Sequence, residues 1–70
     1  MADIPLEQLR TSFRAGTRIV LIEMDDPQAP PSGTQGSVRG VDDIGDILVA
    51  WDTGGSLNLI PSVDRFSKLL

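Results

Sequence analysis

The alternation of apolar and polar residues is cleanest between Ile47 and Trp51, and it predicts a β-strand there. The longer segment 33–59 places two further apolar runs beside it, so it predicts three short strands joined by two tight turns. Because side chains alternate across a strand, Ile47, Val49 and Trp51 share one face. We predict that this strand is central and that Trp51 is a core residue rather than a platform for a ligand.

The whole chain contains five such strand patterns. They cover residues 17–24, 34–41, 47–51, 56–60 and 66–70. A proline-rich loop at 25–33 separates the first two, and the spacing of Val38 and Val41 predicts a bulge near 39–40. Five short strands with one long loop after the first predict a mainly β fold, a small SH3-like five-stranded barrel over residues 17–70.

A short N-terminal helix is predicted over residues 3–14. Asp3 can cap its free amides, and Pro5 falls in the first turn, where a missing N–H is harmless. The apolar stripe of this helix consists of Leu6, Leu9 and Phe13. Because Val20 and Ile22 would face outward from the barrel, we predict that the stripe covers them. A partner-binding or dimerising helix is the alternative that the pattern leaves open.

The composition limits the chemistry of the chain. The 70 residues predict a single domain, residues 1–70, and they include no cysteine and no histidine. The commonest zinc ligands, a cysteine nucleophile and a histidine general base are therefore missing. No glycine loop with a lysine is present to cradle phosphate. We expect a protein that is not an enzyme and that needs no cofactor or metal.

Charge and hydropathy limit the partners. Ten acidic and six basic residues give a net charge of −4, which argues against nucleic acid and anionic lipid as the main partner. The first residues lack the basic segment and apolar run of a signal peptide, and no stretch reaches the roughly 18 apolar residues of a membrane span. We expect a cytoplasmic protein, a monomer or weak homodimer.

The acidic residues are clustered. Five of the ten acids fall in two loops, as Asp25 and Asp26 in the first and Asp42, Asp43 and Asp46 in the second. An SH3-like topology brings these loops together at one edge, where like charges repel one another. We therefore predict a non-catalytic protein-interaction module that binds a protein partner through these five residues, and the clustered acids favour a basic partner. A solvated acidic rim without a partner is the alternative.

A second interpretation is a nucleic-acid-associated module. Residues 33–38, followed by Val41 and Asp42, resemble the KOW-type element of small barrels that contact RNA or ribosomal partners. The basic residues, however, are scattered along the chain as Arg10, Arg14, Arg18, Arg39, Arg65 and Lys68. Because a nucleic-acid site needs a contiguous basic surface, this interpretation ranks second.

Six short segments together resemble a bacterial family of small SH3-like domains of unknown function. They are Gly16-Thr17-Arg18-Ile19, Met24-Asp25-Asp26-Pro27, Pro31-Ser32-Gly33-Thr34, Gly40-Val41-Asp42-Asp43, Val49-Ala50-Trp51-Asp52 and Leu59-Ile60-Pro61 with Val63-Asp64. Only Thr53-Gly54-Gly55 departs from the expected Asn-Gly-Ser-like turn. Such domains occur in bacteria and in their phages and conjugative elements. The resemblance implies no activity, so it assigns no catalytic or binding residues.

Overall fold

One helix and four strands make up the fold in the computed structural model, which describes residues 5–69. The elements are α1 (Leu6–Ser12), β1 (Arg18–Glu23), β2 (Gln35–Val41), β3 (Ile47–Trp51) and β4 (Arg65–Lys68). The strands form one antiparallel sheet in the order β3-β2-β1-β4. The predicted mainly β fold with a short N-terminal helix is confirmed, but the four described strands leave the sheet unclosed.

The core lies on the inner face of this sheet. Its buried apolar side chains are Leu9, Ile19, Leu21, Val38, Ile47, Val49, Trp51 and Leu59. In β3, burial alternates with the predicted period of two, because alternate side chains point to opposite faces. Trp51 is only 5 % exposed, so its predicted place in the core is confirmed.

A β-bulge lets β2 direct two valines toward the core at an odd spacing. Val38 pairs with Val49 in β3. After a register shift at Gly40, Val41 pairs with Ile47 and packs against the core cluster. The extra residue of a bulge returns the following side chain to the same face. The bulge predicted near residues 39–40 is therefore confirmed.

The prediction of a strand at residues 56–60 is wrong. Only Leu59 in this segment is paired, by two backbone hydrogen bonds of 2.8 Å with Ile47. The other residues of the segment belong to no strand. The fifth strand of a barrel is consequently missing from the described residues, and the five-stranded closure that we predicted is replaced by an open edge beside β3.

Trp51 is hydrogen-bonded to the segment where the strand was predicted. The backbone N–H of Trp51 donates to the Gly55 carbonyl at 3.1 Å, and its Nε1–H donates to the Leu57 carbonyl at 2.9 Å. In the register set by Leu59, Leu57 would face Val49 in a regular ladder. The Leu57 carbonyl instead accepts the indole N–H, and no backbone hydrogen bond joins Val49 and Leu57 within residues 5–69.

The helix is shorter than predicted. Pro5 precedes α1 as its N-cap residue, and Asp3, predicted to cap it, lies outside the described residues. Leu9 is buried, and its Cδ1 lies 3.7 Å from the position that a Cβ would take at Gly45 in the turn after β2. The helix thus packs beside β2 and its following turn. No helix in residues 5–69 is long and apolar enough to cross a membrane.

The prediction that the helix covers Val20 and Ile22 is also wrong. Phe13, at the end of α1, packs edge-on against Phe66 of β4, with ring centroids 5.6 Å apart. Phe66 pairs with Leu21 and so shares its inner face. Because the helix closes the inner face, the outer face keeps its exposed apolar residues, and Ile22 remains 44 % exposed.

Candidate functional site

A groove lies between the loop after β1 and the turn before β4. Its volume is about 290 Å³. Four aspartates line it: Asp25, Asp26, Asp46 and Asp64. The lining also includes the apolar residues Met24, Leu57, Ile60 and Val63. We call this surface the acidic groove.

The structure divides the five predicted site residues into two groups. Asp25, Asp26 and Asp46 come together in the acidic groove, although Asp46 is distant from the other two in sequence. Asp42 and Asp43 do not line the groove. The two acidic loops do therefore approach one another, but only one end of the second loop reaches the shared surface.

Asp42 closes its own turn. Its Oδ1 accepts hydrogen bonds from the backbone N–H groups of Ile44 at 3.1 Å and Asp46 at 2.9 Å. Aspartate commonly stabilises a turn in this way, by binding backbone groups a few residues further on. This geometry gives Asp42 a structural role, which the Asp-rich turn sequence itself could have suggested.

Asp43 is held by the helix. Its Oδ1 accepts a hydrogen bond from Arg10 in α1 at 2.8 Å, and its side chain is 97 % exposed. An ion pair in such an exposed position contributes only about 0–1 kcal/mol to stability. Its charge is nevertheless partly balanced by a cation of the same chain.

Asp64 is a groove residue that the sequence interpretation missed. Its Oδ2 accepts the backbone N–H of Ile60 at 2.8 Å, and the N–H of Asp64 donates to the Ile60 carbonyl at 2.8 Å. These two bonds fold the chain sharply around Pro61 and bring Asp64 beside the loop after β1. The signal was an aspartate four residues after Ile60 across a proline, which is a typical turn composition.

The apolar part of the acidic groove is open to solvent. Ile60 is 43 % exposed and Val63 is 67 % exposed. Because the turn at Pro61 holds them outside the core, they form an apolar patch flanked by carboxylates. Elsewhere in residues 5–69, large exposed apolar side chains occur at Ile22 on the outer face of β1 and at Ile44 in the turn before β3.

The groove carboxylates lack a cation from the described chain. The ion pairs within residues 5–69 join Arg10 to Asp43, Arg18 to Asp52 and Arg65 to Glu23. None of these pairs includes a groove aspartate. In the same residues, no group of three or more acidic side chains is arranged to hold a metal ion. The groove therefore concentrates negative charge without an internal counterion.

A second charged cluster, on the outer face of the sheet, is structural. The Arg18 guanidinium binds both carboxylate oxygens of Asp52, and its Nη1 also donates to Ser37 Oγ at 2.9 Å. These hydrogen bonds join β1, β2 and the residue after β3. The hydrogen bond from Arg18 lowers the pKa of the Asp52 carboxyl below its ordinary value of 3.8, and the bond to Asp52 raises the pKa of Arg18. This arrangement links strands through an ion pair with two parallel bonds.

Replacing Asp52 with asparagine should lower stability only where the carboxyl is charged. Because its pKa is lower in the folded protein, the ion pair stabilises the fold at neutral pH, and this contribution is lost as the pH falls through the folded-state pKa. We expect Asp52→Asn to melt below the wild type at neutral pH and the difference to shrink on acidification. Asp43→Asn should melt like the wild type throughout. A difference between the wild type and Asp52→Asn that grows in acid would contradict the assignment.

Comparison with known proteins identifies a family. No curated protein and no solved structure matches the chain. A family model with the description "Domain of unknown function (DUF4314)" matches residues 3–69. This match spans nearly the whole chain and agrees with the resemblance to a family of small domains of unknown function. The chain therefore belongs to the DUF4314 family.

Proposed function

We propose that this domain is a non-catalytic protein-interaction module that binds a basic segment of a partner protein in the acidic groove. The observation that supports the proposal most directly is the juxtaposition of four aspartates with exposed Ile60 and Val63. A peptide that carries both cationic and apolar side chains matches this surface in charge and in hydrophobicity.

The two parts of the groove contribute differently to binding. Exposed ion pairs are each worth about 0–1 kcal/mol, so the aspartates mainly orient the partner and speed its association. Burial of an exposed aliphatic side chain contributes up to about 1.5–3 kcal/mol. Affinity should therefore come from Ile60 and Val63, while selectivity for basic partners comes from the carboxylates.

The proposal includes a view of the whole domain. The element order and the long loop after β1 support an SH3-like barrel, opened where the segment at 56–60 stays outside the sheet. We also propose a cytoplasmic protein that occurs as a monomer or weak homodimer, from bacteria or from their phages and conjugative elements. The acidic groove is its binding surface, and nothing in this view requires a cofactor.

Removing two groove charges tests the proposal. Within residues 5–69, the carboxylate oxygens of Asp25 and Asp46 accept no hydrogen bond. The double substitution Asp25→Asn/Asp46→Asn should therefore remove charge without loosening a turn. Selection from a random dodecapeptide display library should enrich peptides with positive charge and neighbouring aliphatic residues. The double variant should bind these peptides about tenfold more weakly at low salt, the loss expected for two exposed ion pairs.

A matched control separates the groove from net charge. Glu7→Gln/Asp43→Asn removes the same charge, and neither residue lines the groove. This control should change the affinity less than about twofold, since distant exposed charges are screened by salt. Enrichment of neutral or acidic peptides, or an equal loss in both variants, would refute the proposal. If the domain binds RNA or DNA oligonucleotides and this binding weakens steeply with salt, the KOW-like alternative is favoured.

A further inference from the structure

Three carbonyl groups of the segment after β3 are bound to β3 at every second residue. Gly55 O accepts from the Trp51 backbone at 3.1 Å, Leu57 O from the Trp51 indole at 2.9 Å and Leu59 O from the Ile47 backbone at 2.8 Å. Ser56 and Asn58 lie between these bound residues, and among the described residues no backbone hydrogen bond joins either of them to β3.

The backbone groups of these two residues are unpaired in the described chain. Within residues 5–69, the N–H and C=O of Ser56 and Asn58 form no hydrogen bond, and both residues are exposed. The free edge ends at Ile60, whose N–H binds Asp64 Oδ2 and whose carbonyl accepts from Val63 and Asp64. An unpaired edge of this kind is a ready template for an added strand.

Two cavities lie beside this edge. One is the acidic groove, and the other is a cavity of about 450 Å³ with no charged residue in its lining. Gln28, Pro30, Trp51, Gly54 and Gly55 are among the residues that line this neutral cavity. Leu57, between Ser56 and Asn58, lines both cavities, so a chain lying along the edge would contact both.

We infer that the partner of the acidic groove binds as an extended peptide that adds a strand to the edge at residues 56–58. The inference rests on the proposed function and specifies its mode. The peptide backbone pairs with Ser56 and Asn58. Cationic and aliphatic residues of the peptide lie in the acidic groove, and small neutral residues follow in the neutral cavity beside Trp51. Main-chain pairing adds to the affinity that Ile60 and Val63 provide, and the groove carboxylates and the neutral cavity supply selectivity.

The edge also explains why one extended occupant fits better than a helix. A helix satisfies its own backbone groups and would leave Ser56 and Asn58 unpaired beneath it. The neutral cavity lacks a broad apolar face, since Gln28, Thr53 and Ser56 share its lining with the glycines. An extended chain instead meets both the unpaired edge and the adjoining polar cavity.

Amide exchange on the full chain provides the test. The probe is the capped octapeptide Arg-Leu-Arg-Leu-Thr-Ser-Thr-Gly, together with its reversed sequence because strand direction is open. Added at millimolar concentration, one of the two should slow amide exchange at Ser56 and Asn58 at least about tenfold, the effect of about 1.4 kcal/mol of protection. The Trp51 indole resonance should shift in the same titration. The already bonded amide of Leu59 serves as an internal reference.

Single N-methylations of the bound peptide supply an independent readout that needs no protein variant. Methylation of the amides that pair with the edge should weaken binding about tenfold, whereas methylation of the alternate amides should leave affinity within about twofold. A different result is binding that depends on Asp25 and Asp46 without an alternating effect of N-methylation and without protection of the Ser56 and Asn58 amides. That result would overturn the strand-addition inference and leave the proposed function intact. Absence of binding by both peptides would overturn both.

Discussion

Trp51→Ala is expected to remove most of the stability of the domain. The indole is 5 % exposed, packs within the core cluster and holds the Leu57 carbonyl. Truncation of a buried tryptophan costs about 3–5 kcal/mol, and a single small core supplies only about 3–5 kcal/mol in total. Thermal melting followed by circular dichroism should show a midpoint at least about 12 °C lower, at about 4–8 °C per kcal/mol, or no folded baseline at all.

A phenylalanine at the same position separates packing from hydrogen bonding. Trp51→Phe keeps an aromatic ring in the core but loses the donor to Leu57, whose net contribution should be about 0.5–1.5 kcal/mol. We expect this variant to remain folded and to melt well above Trp51→Ala. A Trp51→Ala protein that melts at the wild-type temperature would contradict the core assignment. Equal destabilisation by both substitutions would show that the hydrogen bond matters more than the ring.

The inner face of the sheet could be predicted from sequence because its period is fixed by backbone geometry. Side chains alternate in any strand, so Ile47, Val49 and Trp51 could be assigned to one face before their partners were known, and all three are buried. The bulge could be predicted for the same reason, since a spacing of three in an otherwise alternating strand requires an extra residue. These are local properties, and the structure confirms them.

The failed predictions depend on contacts between distant residues. The segment at 56–60 has a strand-like pattern, but the Trp51 indole reaches the carbonyl that its ladder would need. The apolar stripe of α1 indicates that the helix packs on an apolar surface, but it does not indicate which one. In the structure, Phe13 contacts Phe66 on the inner face of the sheet. Side-chain hydrogen bonds and docking choices of this kind are not encoded in the period of a segment.

The acidic groove was partly predictable. The loop pattern brought Asp25, Asp26 and Asp46 into one predicted site, and the structure places them along one groove. Asp42 was assigned to the site on charge alone, although its oxygen serves the turn that it begins. Asp64 was missed because its position depends on the fold around Pro61, where Asp64 binds Ile60. Charge clustering therefore predicted three of the four aspartates that line the groove, but not the fourth.

Gly36→Ala should destabilise the protein by a different mechanism, the insertion of an atom into a filled space. A Cβ at Gly36 would lie 2.8 Å from Val49 Cγ1, 2.9 Å from Trp51 Cε3 and 3.0 Å from the Ala50 carbonyl oxygen. Gly36 is buried in β2, opposite Trp51, and its φ is not in the left-handed region, so glycine is required there for space. Overpacking of this kind typically costs about 1–3 kcal/mol.

Two further variants determine whether space is the cause. Gly54→Ala introduces a methyl group where no atom lies within 4 Å, so it carries only the strain of a φ of +89°, about 1–2 kcal/mol. In a Val49→Ala background, which removes the closest of the three contacts, Gly36→Ala should cost at least about 0.5–1 kcal/mol less than in the wild type, since residues in contact do not act additively. Chemical denaturation of the four proteins in this cycle measures the coupling. Strictly additive effects would show that the Gly36 methyl group is accommodated without pressing on Val49, and the close approach of β2 to β3 would then not be the reason for glycine at this position.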